Sequence, residues 1–402
     1  MQVNEKRVLL LCGVGHFTVH FYMLLYPTLA LFIYDEIGLS LAKTLNLAFW
    51  MYLFFGLFAV PLGYIGDRWR MRPMLVGMMF GISAGCFITG AARSPAGLTA
   101  GLAIIGFFSA IYHPVGMALI SHTCVNRGRA LGINGVWGNL GIGLGPLFAG
   151  IAGILVGWQW TFHVYGALTV LAGIALAFIP INETPVERPG LADGTREGEG
   201  MVSYFVMMLA CMALLGLSYR GTVVAIPAHF ETNMEFLAGL FSMEGQIGMK
   251  KLGTAILVSA MYLFGTFGQV AGGKAADRWD LRKGYFVFHL CSLPCMLAIA
   301  YLTEIPLLVV SFIYIFFALG MQPVENSLVA RLTPPHLRSL GYGLKFVLVL
   351  GFSAFSIKLV KWQMENGSAN GVFVAQAALI AVVLVLIGSI WFRSRKQAWK
   401  NT

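Results

Sequence analysis

Residues 51–69 read MYLFFGLFAVPLGYIGDRW, and residues 261–279 read MYLFGTFGQVAGGKAADRW. Met51-Tyr52-Leu53-Phe54 returns as Met261-Tyr262-Leu263-Phe264, and Asp67-Arg68-Trp69 returns at the same offset as Asp277-Arg278-Trp279. Apolar matches arise by chance in any apolar chain, but charged and tryptophan matches in register mark an internal duplication. The register extends outward. Phe107-Phe108 and His113-Pro114-Val115-Gly116 correspond to Phe316-Phe317 and Gln322-Pro323-Val324-Glu325. Arg129 and Gly132 correspond to Arg338 and Gly341, and Pro27 to Pro227.

What repeats is apolar. Hydrophobic residues make up 58% of the 402 positions and Asp, Glu, Lys and Arg only 11%, against about 25% charged residues in a soluble domain. Val8–Tyr34 and Ala130–Asn182 contain no charged residue. A bilayer core takes about 20 apolar residues as a helix, and backbone groups in lipid must be paired within helices or closed barrels. These runs lack the period-two alternation of barrel strands, so they are helices. Spans are expected at about 7–34, 43–65, 73–92, 96–122, 130–156, 159–180, 203–230, 252–273, 284–303, 306–330, 340–362 and 370–392. The fold class is therefore an all-α membrane protein of twelve transmembrane helices. A bundle of six over residues 1–180 is joined by a linker, 181–200, to a second bundle over 201–402. The linker, INETPVERPGLADGTREGEG, has no apolar period and reads as flexible.

The net charge of +10 follows from topology and gives no reason to expect a nucleic-acid partner. Arg68, Arg70, Arg72, Arg127, Arg129, Arg278, Lys283 and Arg393 fall in the segments on the side of the N-terminus. With basic segments inside, both termini are expected in the cytoplasm, and the protein in the bacterial inner membrane or an invagination of it. Cys12, Cys86, Cys124, Cys211, Cys291 and Cys295 lie in or beside apolar runs and form no disulfide or metal pattern. No phosphate loop, zinc-protease motif, nucleophile elbow or dinucleotide fingerprint is present in a suitable setting. No enzyme activity and no cofactor are expected.

Gly63-Tyr-Ile-Gly-Asp67-Arg68-Trp-Arg70-Met-Arg72 resembles the loop signature of the major facilitator superfamily, Gly-x-x-x-Asp-Arg-x-x-Arg-Arg, with a second copy from Gly273 to Lys283. The resemblance implies two six-helix bundles that rock about a central site. Gly63, Asp67, Arg68, Arg72, Arg129, Asp277 and Arg278 would then act as a charged latch on the inner side. Gly138-Asn139-Leu-Gly141-Ile-Gly-Leu-Gly145-Pro146-Leu-Phe-Ala-Gly150 resembles the fifth-helix signature of proton-coupled antiporters in that superfamily, with Ala149 in place of one glycine. Gly141, Gly145, Pro146 and Gly150 are its members here. His16-Phe-Thr-Val-His20, Tyr112-His113-Pro114-Val115-Gly116 and Arg127-Gly128-Arg129-Ala130 are similar to the fosmidomycin-resistance branch, associated with efflux of small anionic or amphiphilic compounds. This chain departs from that branch in lacking an acid near the middle of the first helix. Asp35 and Glu36 stand at that helix's outer end.

Ionisable groups at membrane depth cost about 2.5–3.5 kcal/mol each on insertion scales and are functional hypotheses by default. His20 in the first span and Arg220 in the seventh occupy matching positions, as do His113 in the fourth and Gln322 and Glu325 in the tenth. The resemblance gathers these spans around one cavity, with His16 one turn from His20 and Asn139, Tyr112, Tyr26 and Lys345 farther out. Arg220 keeps its charge and is expected to meet Glu325 in one state and an anionic substrate group in another. His20, His113 and Glu325 are candidates for proton coupling. No metal is assigned, although His16, His20 and His113 stand open as an alternative ligand set. The expected function is secondary transport of a small anionic or amphiphilic solute by a protein acting as a monomer, with protons as coupling ion. The alternatives are an importer or uniporter of iron or a metal chelate with the same fold, of the magnetosome-membrane type, and a non-transporting sensor or scaffold.

Overall fold

A computed structural model describes residues 2–186, 201–236, 240, 247–333 and 343–394. Twelve long helices follow one another: α1 (Val3–Ile33), α2 (Leu41–Gly66), α3 (Met71–Ala91), α4 (Pro95–Thr123), α5 (Arg127–Leu155) and α6 (Gly157–Ala177), then α7 (Met201–Asn233), α8 (Ile247–Arg278), α9 (Leu281–Ile299), α10 (Glu304–Leu332), α11 (Gly343–Asn366) and α12 (Ala369–Arg393). No strand occurs among the described residues. Eleven of these helices are long and apolar enough to cross a bilayer. The other, α9, is 19 residues long and carries Arg282, Lys283, His289 and Ser292 among its apolar residues. It packs against α10 and α12, which bury three of those four side chains.

Local chemistry sets the boundaries. Ser94 caps α4 by accepting from Gly97 N at 3.2 Å, with Pro95 in the first turn. Asn126 caps α5 and Ser368 caps α12 in the same way. The apolar run expected to break near residue 157 breaks there, because Gly157 adopts φ +77 between α5 and α6. Pro114 lies within a π-helical turn, Tyr112–Gly116, in α4. Proline has no N–H to give to the preceding turn, and a wider turn at that point is its usual accommodation. A second π turn, Val347–Gly351, interrupts α11.

Helices α1 and α12 place residues 2 and 394 on one face of the bundle, here the terminal face. Residues 181–186 run along it and are docked, unlike the flexible segment expected. Asn182 exchanges two hydrogen bonds with Asn4 (2.9 and 3.0 Å), Glu183 accepts from Met71 N at 2.8 Å, and Val186 N donates to His122 O at 2.9 Å. The rest of that segment, 187–200, and the repeat partners Arg338 and Gly341 lie outside the described residues.

The first six helices meet the last six through α1 with α7, α2 with α11 and α5 with α8. The α2–α11 crossing is backbone on backbone, since a Cβ on Gly56 would overlap the main chain of Gly351. At the opposite, distal face the junction is closed by Lys251–Asp35 at 3.8 Å, by Lys358 4.4 Å from the Phe49 ring and by Phe49 against Phe355. The ion pairs recorded at the terminal face stay within one set of six: Arg70–Glu183 in the first and Arg282–Asp280 in the second.

Candidate functional site

Two helix segments bring three histidines together. His16 and His20 are one turn apart on α1, and His113 comes from the π turn of α4. Their ring centroids are 4.9 Å (His16–His20), 5.4 Å (His16–His113) and 5.5 Å (His20–His113) apart, and a nitrogen of each ring lies within 4.8 Å of the others. His16 stacks on Tyr112 at 4.7 Å and gives its Nδ1 hydrogen to Asn134 O at 2.8 Å. Tyr112 in turn donates to Asn134 Oδ1 at 2.6 Å. Gly138 leaves the space that His16 fills, since a Cβ there would stand 2.5 Å from the imidazole. His113 is 7% exposed and stacks on Phe346 of α11, yet neither ring nitrogen has a hydrogen-bond partner. By contrast His229, also buried, donates from Nε2 to Ile299 O at 2.8 Å and is satisfied where it stands.

Arg220 faces this group from α7. It is 5% exposed, and its guanidinium carbon lies 4.0 Å over the ring of Tyr52 on α2. Its Nε has no hydrogen-bond partner, and no carboxylate lies within 4 Å of it among the described residues. Tyr52 is held by donating to Met23 O at 2.5 Å. A cation over an aromatic ring gains about 0.5–2 kcal/mol. Removing a charge from water costs several kcal/mol, so the ring alone does not compensate Arg220.

In this structure Glu325 is not paired with Arg220. It pairs with Lys345 at 2.7 Å and accepts from Tyr285 at 2.8 Å, and Lys345 also donates to Asn326 Oδ1 at 2.6 Å. The reason lies in the helix faces. Glu325 on α10 points to α9 and α11, where Tyr285 and Lys345 supply a donor and a counter-charge, and it is 2% exposed there. Gln322, one turn earlier, lies on another face. It accepts from Gln269 Nε2 at 2.9 Å, and Gln269 Oε1 accepts from Asn139 at 2.6 Å. This amide chain links α5, α8 and α10 across the junction. Tyr26 donates to Thr44 O at 2.6 Å and stays out of the site.

The loop residues stand apart. Asp67 and Asp277 are exposed, with no ion pair within 4 Å among the described residues. Arg68 lies 3.5 Å over Tyr64, and Arg72 donates to Ala177 O. Gly63 faces Pro114, and Arg129 N donates to its cap Asn126. Arg278 is exposed at the end of α8. Among the acids that receive helix N-termini at this face are Glu183 for α3 and Asp280 for α9. On α5, Gly141 and Gly145 lie against the backbone of Phe17 and Phe21 in α1, Gly150 lies against Ala255 and Leu252 of α8, and Pro146 is buried between them.

Sequence reading did not single out Tyr52, Gln269, Tyr285, Glu183 or Phe346. Gln269 was legible as a polar residue within an apolar span, and Tyr52 sits inside the repeated quartet. The other three have no local signal, since their roles arise from helices distant in sequence.

Two sets of six antiparallel apolar helices, with ionisable groups of both sets at the junction, define a polytopic membrane protein of the duplicated-bundle class. The sequence pattern of the Major Facilitator Superfamily matches residues 11–253 and 208–402, and the chain belongs to that family. It is similar to the uncharacterized transporter YgaY of Escherichia coli K12, 34% identical over 125 residues, 30% of each chain. It is also similar to the puromycin resistance protein pur8 of Streptomyces alboniger, 27% identical over 121 residues, 29% of this chain and 24% of that one. The matched segments thus span less than a third of either relative. Over its whole length the fold superposes on a bacterial homologue of the human lysosomal transporter Spinster, in an inward-facing and unoccupied conformation. The TM-score is 0.74 at 14% identity, covering 100% of both chains.

Proposed function

We propose that this protein is a secondary transporter that carries a small anionic or amphiphilic solute by alternating access, with Arg220 taking the solute's negative group. The carrying observation is the state of Arg220: buried, with no acid within 4 Å among the described residues, and held against Tyr52 of the other six-helix set. An arginine in that state is a site for an anion. Protons are the coupling ion in this reading. The candidate proton sites are Glu325, in its pair with Lys345, and the histidines His113 and His20. The exposed Asp67 and Asp277 loops, with Gly63, Arg68, Arg72, Arg129 and Arg278, form the latch in the state that closes the terminal face. The α5 residues Gly141, Gly145, Pro146 and Gly150 are the packing seam between α1 and α8. With both termini in the cytoplasm, the closed distal face makes this an inward-facing state, in keeping with the Spinster homologue. Residues 1–180 and 201–402 move as two bodies. The resistance protein among the relatives supports outward movement of the solute.

Proteoliposomes with an imposed pH gradient and an internal pH dye test the reading. A panel of carboxylates, phosphonates and amphiphilic antibiotics is added outside. The expected result is a compound that dissipates the gradient with wild type and not with Arg220→Ala, while Arg220→Lys retains part of the rate. Equal dissipation by wild type and Arg220→Ala across the panel refutes the role of Arg220.

A further inference from the structure

The three histidines present a second recognition chemistry that an anion carrier does not need. Two rings on one turn of α1 and one from the π turn of α4 converge, with no carboxylate or thiol completing the group among the described residues. His16 is oriented by an outer partner. Because Asn134 O can only accept, His16 Nδ1 carries the hydrogen and Nε2 keeps its lone pair. A ring hydrogen bonded to a backbone carbonyl is the support found behind most histidine metal ligands. His113 has two buried nitrogens and no partner for either, at a cost that protein interiors seldom accept without a reason. His20 has no hydrogen-bond partner among the described residues.

We infer that His16, His20 and His113 bind one divalent transition-metal ion, in a site with an open fourth position. Imidazole nitrogens select zinc, copper, nickel and iron over magnesium or calcium. A tetrahedral ion with bonds of about 2.0–2.1 Å holds its ligand nitrogens about 3.4 Å apart. The observed spacing of up to 4.8 Å closes to this with ring movements on the order of 1 Å. His16 and His20 are half-buried, so the group is not sealed.

Charge fixes what fills the fourth position. Arg220 flanks the group on the side of His20, and Lys345, already paired with Glu325, on the side of His113. A bare dication beside Arg220 is repelled, whereas one carrying an anionic oxygen ligand is not. The fourth ligand is therefore an anionic oxygen donor that Arg220 also contacts. This goes beyond the anion-transport reading, which stands without it.

The test uses the purified full chain in lipid nanodiscs, with Co2+ as a spectroscopic probe, with and without acetate. Wild type is expected to bind one Co2+ with the strong visible band of a four-coordinate site, displaced by Zn2+ and tightened by acetate. His20→Ala and His113→Ala lose the band, as does His16→Gln, which keeps a side-chain donor for Asn134 O. His163→Ala, on α6 away from the group, keeps it. Gly138→Ala, which crowds His16, weakens binding by on the order of 10–100-fold. Arg220→Met tightens Co2+ without acetate and removes the acetate effect. Monodisperse elution and an unchanged melting curve establish that each variant is folded. The inference is overturned if wild type binds no more Co2+ than His113→Ala, or if His163→Ala loses binding equally. An acetate effect that survives in Arg220→Met overturns the shared anion. Loss of solute-driven proton movement in Arg220→Ala, together with no metal binding by wild type, removes this inference and leaves the transport reading intact.

Discussion

Replacing Lys345 by Met tests whether the polar cluster beneath the π turn of α11 holds the last six helices together. Lys345 Nζ lies 2.7 Å from Glu325 Oε1, and both residues are more than nine-tenths buried. Glu325 has one other donor, Tyr285, at 2.8 Å. Lys345→Met therefore leaves a buried carboxylate supported by a single neutral hydroxyl. Stripping the partner from a buried ion costs about 3–5 kcal/mol. Glu325→Gln leaves Lys345 with Asn326 at 2.6 Å and falls in the same range. The double variant removes both charges while an amide oxygen still accepts from Tyr285, so it loses about 1–2 kcal/mol, the scale of the remaining unpaired polar groups. The coupling energy is then about 4 kcal/mol or more, beyond what an exposed pair gives. Titration of the purified protein with SDS in mixed micelles, read by tryptophan fluorescence, supplies the four free energies of the cycle. Single variants each within about 1 kcal/mol of wild type, or a double variant as destabilised as the sum of the two, would refute the reasoning.

Gly56→Leu places a side chain where the main chain of Gly351 stands. The α2–α11 crossing has to separate, so solute-driven proton movement should be lost and limited proteolysis accelerated, while Gly77→Leu, with open space around it, should leave both unchanged. Asp280 lies outside the spans and caps α9. Burial alone would raise its carboxyl, but the hydrogen bonds and charge of Arg282 outweigh this, and the net shift is downward from 3.8. Its contribution to stability is therefore complete well above pH 3.8 and is lost as the pH falls through the lower folded value. Asp280→Asn should lower stability near neutral pH and flatten the acid limb of the curve, measured by the same SDS titration from pH 7 to about pH 2.

Much of this fold is legible in the sequence because lipid leaves the backbone one solution. A charge-free run long enough to span has to be a helix, so the run from Val8 to Tyr34 and the division at Gly157 could be read directly. Boundaries drifted where a helix leaves the membrane. α8 extends from Ile247 to Arg278, beyond the span expected at 252–273, because polar termini such as Lys250 and Lys274 prolong a helix that hydropathy alone cuts short. The duplication carried the reading further, since aligning Pro27 with Pro227 sets His20 opposite Arg220. What could not be read was helix rotation. Glu325 and Gln322 are three positions apart on α10, yet one turns to Lys345 and Tyr285 and the other to Gln269. For this reason the sequence alone could not show that Glu325 is paired with Lys345 rather than with Arg220 in this structure. A period of 3.6 gives relative faces on one helix and says nothing of which neighbour each face meets.

That rotation also decides how the site is linked to movement of the two sets of helices. The three histidines belong wholly to the first six, while Arg220 reaches them from the seventh and rests on Tyr52 of the second. Lys345 and Glu325 belong wholly to the last six, and Phe346, the neighbour of Lys345, stacks on His113 across the junction. A ligand touching only the histidines binds one body and gives no differential energy between states. One that also engages Arg220 has affinity only while both bodies approach, and it shifts the equilibrium by the ratio of its affinities for the two states. A ratio of about 10-fold supplies roughly 1.4 kcal/mol, comparable with the cation–π contact that Arg220 gives up. Under the proposed transport reading, the anionic part of a ligand would drive the conformational exchange through Arg220, and under the proposed metal site whatever the histidines hold would determine which anions qualify.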